Sequence, residues 1–547
     1  MRQKFLRYKH KSTQIMHCIY GILFFIGLLF FTSCESLFHE EEVTIGEIET
    51  LEDLEVAVNG VYGALTNSFF NNGYYSVYYE SNLKADDLNP TQGGVYKTFY
   101  LGECSGTGQS YYDNSEKISV LWEDLYRIIA TANNILNQFD ASSSKDNRVR
   151  EMLGEIYFIR AYCYFRLKRS FGRILIVDNV DIDYNLQKSS YSEIYTFIEN
   201  DLKRSVELLP LSNSAARQPY ITPMKGTAKA VLAEVYLSWA GYPCNDPAKY
   251  RLAAEIAKGV IDSAAFYGLG LLDDFAFLWD QQHFYNSESV FSLYTTDAYE
   301  TDDYYEASNN IYSGRYNEVG YGGSLMLNPE LFVSTFFYSA EKMFFNNFPN
   351  GYRKDITFFN EIYNSNVDTG YYHFNTVTEC TRPAYRKFYY DPVLRLVFWE
   401  LNSQIIERNF FIGTTRAYLF RFASTLLTYA EASARAGQLN DLSYECVNWI
   451  RRRAHHLDLN FPSEYDLQPG LSTEAFADSV VWERAWELAG EPEGRWFDLV
   501  RLEMVEDLPV LRDSDEGGPP SYPVTKDDYF FPIPVEESYL NPNLTED

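Results

Sequence analysis

The sequence predicts a mainly all-α fold, in which helix pairs of tetratricopeptide type stack into a solenoid and carry a large irregular, loop-rich insertion. Three observations lead there. Apolar residues recur at the 3.6-residue period through two long stretches. Prolines and polar runs interrupt that period about once per helix. Between residues 267 and 413 the period fades while Gly and Asn rise, and 17 Tyr fall in those 147 residues.

The chain opens with an address. Residues 1–17 carry Arg2, Lys4, Arg7, Lys9 and Lys11 and no acid, and Ile19 to Phe31 form an almost unbroken apolar run. This is the n-region and h-region of an export signal. The run has 13 residues, short of the ~20 that a spanning helix needs. It ends in Phe31-Thr32-Ser33-Cys34, which resembles a bacterial lipobox with Phe where Leu is usual. Cleavage there makes 1–33 a lipoprotein signal peptide and Cys34 the lipid-attachment residue. The chain is then tethered rather than embedded, since each buried acyl methylene contributes about 0.8 kcal/mol. Residues 34–50, with Glu40-Glu41-Glu42, read as a solvated acidic leader.

Helical periodicity begins at residue 51 and runs to 266. Leu121, Leu125, Ile128, Ala132 and Ile135 share one face, and Met152, Ile156, Ile159, Cys163 and Leu167 share another, with the polar loop Ala141 to Asn147 between them. Ile194, Ile198, Leu202, Val206 and Leu209 follow, then Ala228, Leu232, Val235 and Trp239, then Leu252, Ile256 and Val260, punctuated by Pro210, Pro223 and Pro247. Small residues set against large ones, as at Ala228, Leu232, Ala233 and Tyr236, suit a tetratricopeptide pair. The stretch 267–413 is the insertion, and irregular chain of that length is seldom carried without a function. From 414 to 547 helices resume at Leu419, Ala423, Leu426, Ala430 and Ala434, then Leu442, Cys446 and Ile450, then Ala477, Val481, Ala485 and Leu488. A second Tyr-dense stretch, 74–112, holds eight Tyr together with Asn89-Pro90 and Gly93-Gly94.

Composition bounds the function. The 547 residues are 46% apolar and 22% charged, enough for a large core and unlike a disordered chain. Acids outnumber bases 76 to 46, a net charge of −30 that cleavage before Cys34 takes to −35, and such a surface repels nucleic acid. Aromatic residues make up 17% of the chain, more than a core needs, and a surface Tyr offers a flat apolar face with a polar tip to sugar rings or peptide side chains. After loss of Cys18 and acylation of Cys34, five Cys remain at wide spacings: Cys104, Cys163, Cys244, Cys380 and Cys446. Cys163 and Cys446 fall on apolar helical faces and read as buried thiols.

The spread of motifs resembles the SusD/RagB family of Bacteroidetes surface lipoproteins. The residues that carry the resemblance are Val58-Asn59-Gly60-Val61-Tyr62, Leu121-Trp122 through Ala132-Asn133-Asn134-Ile135-Leu136, Arg160-Ala161-Tyr162 with Phe171-Gly172, and Asp201-Leu202 with Leu209-Pro210. Toward the C-terminus they are Tyr429-Ala430-Glu431-Ala432, Asn448 with Ile450-Arg451-Arg452-Arg453-Ala454, Glu483-Arg484 with Glu487-Leu488, Gly494 to Leu499 with Arg501, and Pro532-Ile533-Pro534 before Asn541-Pro542-Asn543-Leu544. Ser424 stands where the family's run has Glu, and Pro492 interrupts the Glu-Gly-Arg stretch. The resemblance implies a SusD-like fold with four tetratricopeptide-like units, a lipid anchor in the outer membrane at the cell surface, no enzymatic activity, and a role as a hinged lid that delivers nutrient glycans to a SusC-like TonB-dependent transporter.

Catalytic and metal motifs are sparse. Glu483, Arg484, Glu487, Arg495, Asp498 and Arg501 crowd opposite charges near one helix end. Two carboxylates a turn apart suggest a glycosidase, but neighbouring Arg residues keep them ionised, and a general acid needs a raised pKa; a structural ion-pair network is the reading. His455-His456, adjacent in a helix, point apart, and no transition-metal motif occurs. Asp181, Asp183 and Asn185 open like a calcium loop, but Leu186 and Ser192 occupy the positions that need Gly and Glu, so a surface turn is expected. Neither a metal nor another cofactor is expected.

By regional analogy with glycan-binding members, the resemblance places ligand contacts near Tyr74, Tyr75, Tyr96, Tyr111 and Tyr112 and near Tyr299, Tyr304, Tyr305, Tyr312, Tyr316 and Tyr321, with Asp86, Asp87, Asn309, Asn310 and Arg315 available to bond sugar hydroxyls. A peptide-binding RagB-like member is the alternative within the family. A surface glycoside hydrolase and a tetratricopeptide adaptor that binds proteins alone are the alternatives outside it.

Overall fold

The helices form where the apolar period predicts them. The computed structural model describes residues 47–70, 84–90, 109–139, 144–179, 183–294, 338–358, 361–363, 371–373, 383, 385–387, 394–401, 404–411, 416–512 and 524–545, and residues 48–547 make one compact unit. Its first half contains α1 (Leu51–Phe70), α2 (Gln109–Gln138), α3 (Asn147–Phe171), α4 (Tyr191–Leu208), α5 (Lys225–Ala240) and α6 (Ala248–Asp262). Each packs on the next, and α6 then packs on α9 (Phe422–Arg435), across more than 150 intervening residues. Helices α10 (Asp441–Ala454) and α11 (Thr473–Glu487) complete the stack against α9, and the short α12 (Arg495–Arg501) and α13 (Val535–Leu540) follow. Among the described residues no helix is long and apolar enough to cross a membrane.

Local chemistry sets the helix ends. Ser190 and Glu193 close a reciprocal capping box at the start of α4, and Asn440 and Ser443 do the same for α10. Asp146 caps α3, and Gly172, at φ 77°, ends it in a left-handed turn that a side chain resists. The faces read from the sequence are buried: Leu121, Leu125, Ile128, Ala132 and Ile135 on α2, and Met152, Ile156, Ile159, Cys163 and Leu167 on α3, belong to one continuous core shared by the stacked helices. Cys163 and Cys446 are buried free thiols.

Polar pairs tie neighbouring helices. Arg160 on α3 holds Asp201 on α4 through two bonds of 2.8 Å, and its third donor reaches Asn133 on α2. Arg217, in the α4–α5 loop, grips Glu155 on α3.

Residues 267–413, irregular in their sequence pattern, contribute strands and short helices among the described residues. Strand β2 (Ser289–Tyr294) pairs antiparallel with β8 (Arg416–Arg421). Strand β1 (Leu88–Pro90) pairs with β3 (Tyr338–Ala340), β4 (Glu361–Tyr363) with β5 (Tyr371–His373), and β6 (Leu394–Leu401) with β7 (Gln404–Phe411). The short helices α7 (Lys342–Asn347) and α8 (Tyr352–Thr357) lie between β3 and β4. Two local expectations need correction. Leu419 sits in β8 rather than in a helix, because all six residues of β8 are buried and the strand shows no in-out alternation. Helix α10 ends at Ala454, so His455 and His456 lie in the turn beyond it, where His456 takes φ 55°.

Candidate functional site

Three consecutive anchors fix residues 84–90, between the two halves of the 74–112 stretch. The Arg512 guanidinium donates to the carbonyl of Ala85 at 2.8 Å. Asp86 accepts from Arg495 Nε at 2.6 Å and Nη2 at 2.8 Å. Asp87 Oδ2 accepts from the Gly490 backbone N–H at 2.9 Å. Ala85 packs beside Trp496, Phe497, Leu499 and Tyr529 in a second, smaller core around α12. These contacts seat the segment on the C-terminal part of the chain, because Gly490, Arg495 and Arg512 all belong to the region that follows α11.

From this seat the chain runs straight into β1, and β1 pairs with β3: Leu88 faces Ala340, Asn89 faces Ser339 and Pro90 faces Tyr338. Pro90 has no N–H and so ends what it can contribute to the ladder. Side chains reinforce the junction. Asn89 Nδ2 donates to Glu341 Oε2 at 2.8 Å, the Tyr385 hydroxyl donates to the carbonyl of Asp87 at 2.8 Å, and the Ala340 N–H donates to the carbonyl of Pro383 at 2.8 Å. One described segment of each Tyr-dense stretch, 88–90 and 338–340, thus pairs with the other.

Beneath the junction lies a lattice of buried ion pairs. Arg421, at the end of β8, reaches Glu288 at 2.7 Å, Glu487 at 2.9 Å and Glu491 at 2.8 Å. Arg453 shares Glu288 and Glu487, and Arg353 on α8 takes the other Glu487 oxygen at 2.9 Å. Lys387 reaches Glu491 at 2.8 Å. A second group links α5, α9, α11 and α12: Arg484 holds Glu234 and Asp498, and Arg501 holds Glu431 through two bonds of 2.7 Å and also Asp498. A third gathers Arg166, Arg169 and the Tyr162 hydroxyl on Glu493.

The charges decide what these carboxylates can do. Burial alone would raise the Glu487 pKa, but Arg453, Arg421 and Arg353 outweigh it and hold the carboxyl far below its usual range. For Asp498 burial also pushes upward, and Arg484 and Arg501 overcome it to leave a pKa of about 2. Carboxyls held ionised in this way donate no proton near neutral pH. The opposite case is Asp87. Burial, and then the neighbouring Asp86 charge, push its carboxyl up to about 7.

Asp86 and Asp87, expected beside sugar hydroxyls, are each 1% exposed and are already bonded within the protein as anchors of the junction. Tyr111 and Tyr112 fall in the first turn of α2, where their side chains are outside the described residues. Cys34, Tyr74, Tyr75, Tyr96, Tyr299, Tyr304, Tyr305, Asn309, Asn310, Tyr312, Arg315, Tyr316 and Tyr321 lie outside the described residues altogether. The charge cluster around Glu483 to Arg501 is the ion-pair network anticipated from its composition. Its partners Glu288, Arg353 and Lys387 escaped sequence reading, since each stands far away in the chain with no local pattern. At the calcium-like run, Asp183 Oδ1 accepts from the Asn185 N–H at 2.9 Å, an Asx turn.

Fold and site together define a helical frame, locked internally by ion pairs, against which residues 88–90 and 338–340 pair in a short sheet. Residues 54–237 match a family model described as starch-binding and associating with the outer membrane, and residues 287–547 match the model of the SusD family. The chain belongs to the SusD/RagB family. It is 26% identical to SusD-like protein P2 of Formosa agariphila over 96% of this chain and 98% of that protein. The solved structure of a SusD homolog from Bacteroides thetaiotaomicron superposes with a TM-score of 0.70 at 20% identity, covering 92% of this chain and 98% of that one. Surface glycan-binding protein A of the same species, solved in complex with laminarihexaose, gives a TM-score of 0.68 at 17% identity, covering 91% of this chain and 99% of that one.

Proposed function

We propose that this chain is a cell-surface lipoprotein of the outer membrane, anchored through Cys34, that captures nutrient glycans and delivers them to a SusC-like TonB-dependent transporter. The observation that carries the reading is the β1–β3 junction, which pairs one described segment of each Tyr-dense stretch on a frame stiffened by buried ion pairs. Family membership supports it, as does the oligosaccharide held by a protein of the same fold. Tyr74, Tyr75, Tyr96, Tyr111, Tyr112, Tyr299, Tyr304, Tyr305, Tyr312, Tyr316 and Tyr321 supply the rings on which sugar faces stack, and Asn309 and Arg315 supply hydroxyl partners. The junction positions the stretches, and Asp86 and Asp87 serve by anchoring it.

The test is retardation of the full chain, in mild detergent, through gels that contain laminarin, xyloglucan or starch, with tryptic peptides as a parallel set. Slowed migration in one polysaccharide, lost on Tyr→Ala changes between 299 and 321, supports glycan capture. Retention of peptides with no glycan moves the chain to the peptide-binding branch. Metabolic labelling with a palmitate analogue, lost in Cys34→Ala, tests the anchor, and co-purification of a β-barrel transporter with the tagged chain tests the partner.

A further inference from the structure

We propose that Tyr220 and Tyr285 form an additional sugar-stacking platform, made of rings outside those named above. The inference rests on the glycan-capture reading and assigns to it a site within the described residues.

The two side chains come from separate segments. Tyr220 lies in the loop between α4 and α5, and Tyr285 lies just ahead of β2. Their ring centroids are 6.2 Å apart with planes 34° apart. Tyr285 in turn packs on Tyr294 at 5.4 Å and edge-on to Phe284 at 5.1 Å, while Phe284 and Tyr294 meet at 5.3 Å. The result is a four-ring ladder, buried at Phe284 and open at its outer end, where Tyr220 is 40% and Tyr285 49% exposed.

The protein holds these rings firmly in that exposed arrangement. Tyr220 has φ 68°, a left-handed conformation that few side-chain-bearing residues adopt. Both sides of its backbone are fixed: its N–H donates to Asn213 Oδ1 at 2.6 Å, and its carbonyl accepts from the Tyr294 hydroxyl at 3.1 Å. On the other segment, buried Arg416 donates to the carbonyls of His283 and Phe284, so the backbone that presents Tyr285 is tied to β8. A strained residue whose ring gains little burial is what a binding surface requires and what a core does not.

The chemistry around the platform selects the ligand. Among the described residues near these rings in the sequence, Arg217 pairs with Glu155 and the His283 ring meets Asp280. Gln218 and Gln282, close by in the sequence, are exposed and offer neutral amides. Tilted phenol rings with neutral hydrogen-bonding groups fit two units of an uncharged glycan, whose C–H faces lie on the rings while its hydroxyls meet the polar tips. Tyr294 also leads directly into the chain that bears Tyr299 to Tyr321, which places the platform next in sequence to the main proposed set.

The experiment compares the full-length wild-type chain with the Tyr220→Ala/Tyr285→Ala and Tyr220→Phe/Tyr285→Phe variants, using laminarin, xyloglucan and starch as probes in retardation gels and calorimetry. Two stacked rings predict a loss of about 10-fold in affinity for the Ala pair, with the Phe pair retaining the wild-type value, since the ring and not the hydroxyl makes the stack. Thermal melting is followed in parallel. If the Ala pair does not fold, Tyr285→Ala alone carries the test, because Tyr285 is in the ordinary backbone region. Undiminished glycan binding by a folded Ala variant, while Ala changes between 299 and 321 abolish it, overturns this platform and leaves the proposed function standing. Loss of peptide retention with glycan binding intact overturns the sugar assignment. A wild-type chain that binds none of the three polysaccharides overturns the glycan reading and the platform with it.

Discussion

Asp86 and Arg495 are 409 residues apart in the chain and meet as a two-pronged buried pair. Arg495 opens α12, and Asp86 leads into the three residues of β1, so this contact joins the C-terminal helical region to the strand that pairs with residues 338–340. The Arg495 guanidinium also lies 4.6 Å from the centre of the Trp482 ring on α11, so the cation is oriented from two sides.

Breaking this pair from one side leaves a carboxylate in a site sealed from water, next to a second acid at Asp87. Arg495→Met is expected to lower stability by about 3–5 kcal/mol, read by urea denaturation. Asp86→Leu/Arg495→Met removes both charges and is expected to recover much of that loss. The single variant is also expected to be cleaved sooner by protease within 71–108, because the seat of that stretch has been loosened. A double variant no more stable than Arg495→Met would show that packing on Trp482, not charge pairing, holds the contact.

Asp87 gives the junction a pH dependence. Its folded pKa of about 7 stands above the ordinary 3.8 because burial and Asp86 oppose its charge. Between about pH 4 and 7 the unfolded chain releases this proton while the folded chain keeps it, so the contribution of Asp87 to stability falls as pH rises through that window and stays low above it. Asp87→Asn keeps an oxygen to accept from the Gly490 N–H and removes the ionisation. It is expected to stabilise the protein by about 1–3 kcal/mol at pH 8 and to give almost no gain near pH 4. Denaturation curves at both pH values check it, and an equal gain at the two would refute the account.

Lys168 shows the reverse sign. It is 2% exposed, with the Tyr195, Tyr191 and Phe530 rings 4.7, 5.4 and 5.7 Å from its Nζ. Burial pulls its pKa down to about 7 from 10.5. Between those values the unfolded chain holds more protons, so this lysine's contribution to stability rises with pH across the window. Lys168→Met is expected to raise stability at pH 6 by about 1–3 kcal/mol, and the gain is expected to fade as pH approaches 10. Melting temperatures of the two proteins from pH 6 to 10 test it; a gain independent of pH would show that it comes from packing.

The helical frame was legible because each amphipathic face repeats within a few turns, and Ile156, Ile159 and Cys163 are buried as their spacing demands. Tertiary relationships left weaker traces. Glu483, Arg484, Glu487, Asp498 and Arg501 crowd together within one short stretch, so a network was readable there. Arg421 and Glu288 are 133 residues apart, and nothing local in either announces the other. Asp86 and Asp87 looked like surface acids because Tyr-dense chain surrounds them. The partners that hold them, Arg495 and the Gly490 N–H, stand more than 400 residues away in the chain, and the strand they lead into has only three residues, below the length at which alternation can be seen. Tyr220 and Tyr285 were missed for a related reason, since each is ordinary in its own segment and only folding sets the rings side by side.

Gly241 marks a close backbone approach of the stacked helices to the C-terminal region. It follows α5, and a Cβ added there would stand 2.3 Å from the Arg501 carbonyl oxygen, the same oxygen that accepts from the Tyr242 N–H at 2.9 Å. Backbone on both sides cannot give way without losing that bond, so Gly241→Ala is expected to cost about 1–3 kcal/mol or more. Gly259, within α6, is the internal control: nothing lies within 4 Å of its added Cβ, and Ala there is expected to stabilise the helix by about 0.5–1 kcal/mol. The two substitutions add the same methyl group and are expected to move the urea midpoint in opposite directions. A Gly241→Ala chain as stable as the wild type would mean that α5 and α12 can separate freely, and that the frame beneath the junction is less rigid than its ion pairs imply.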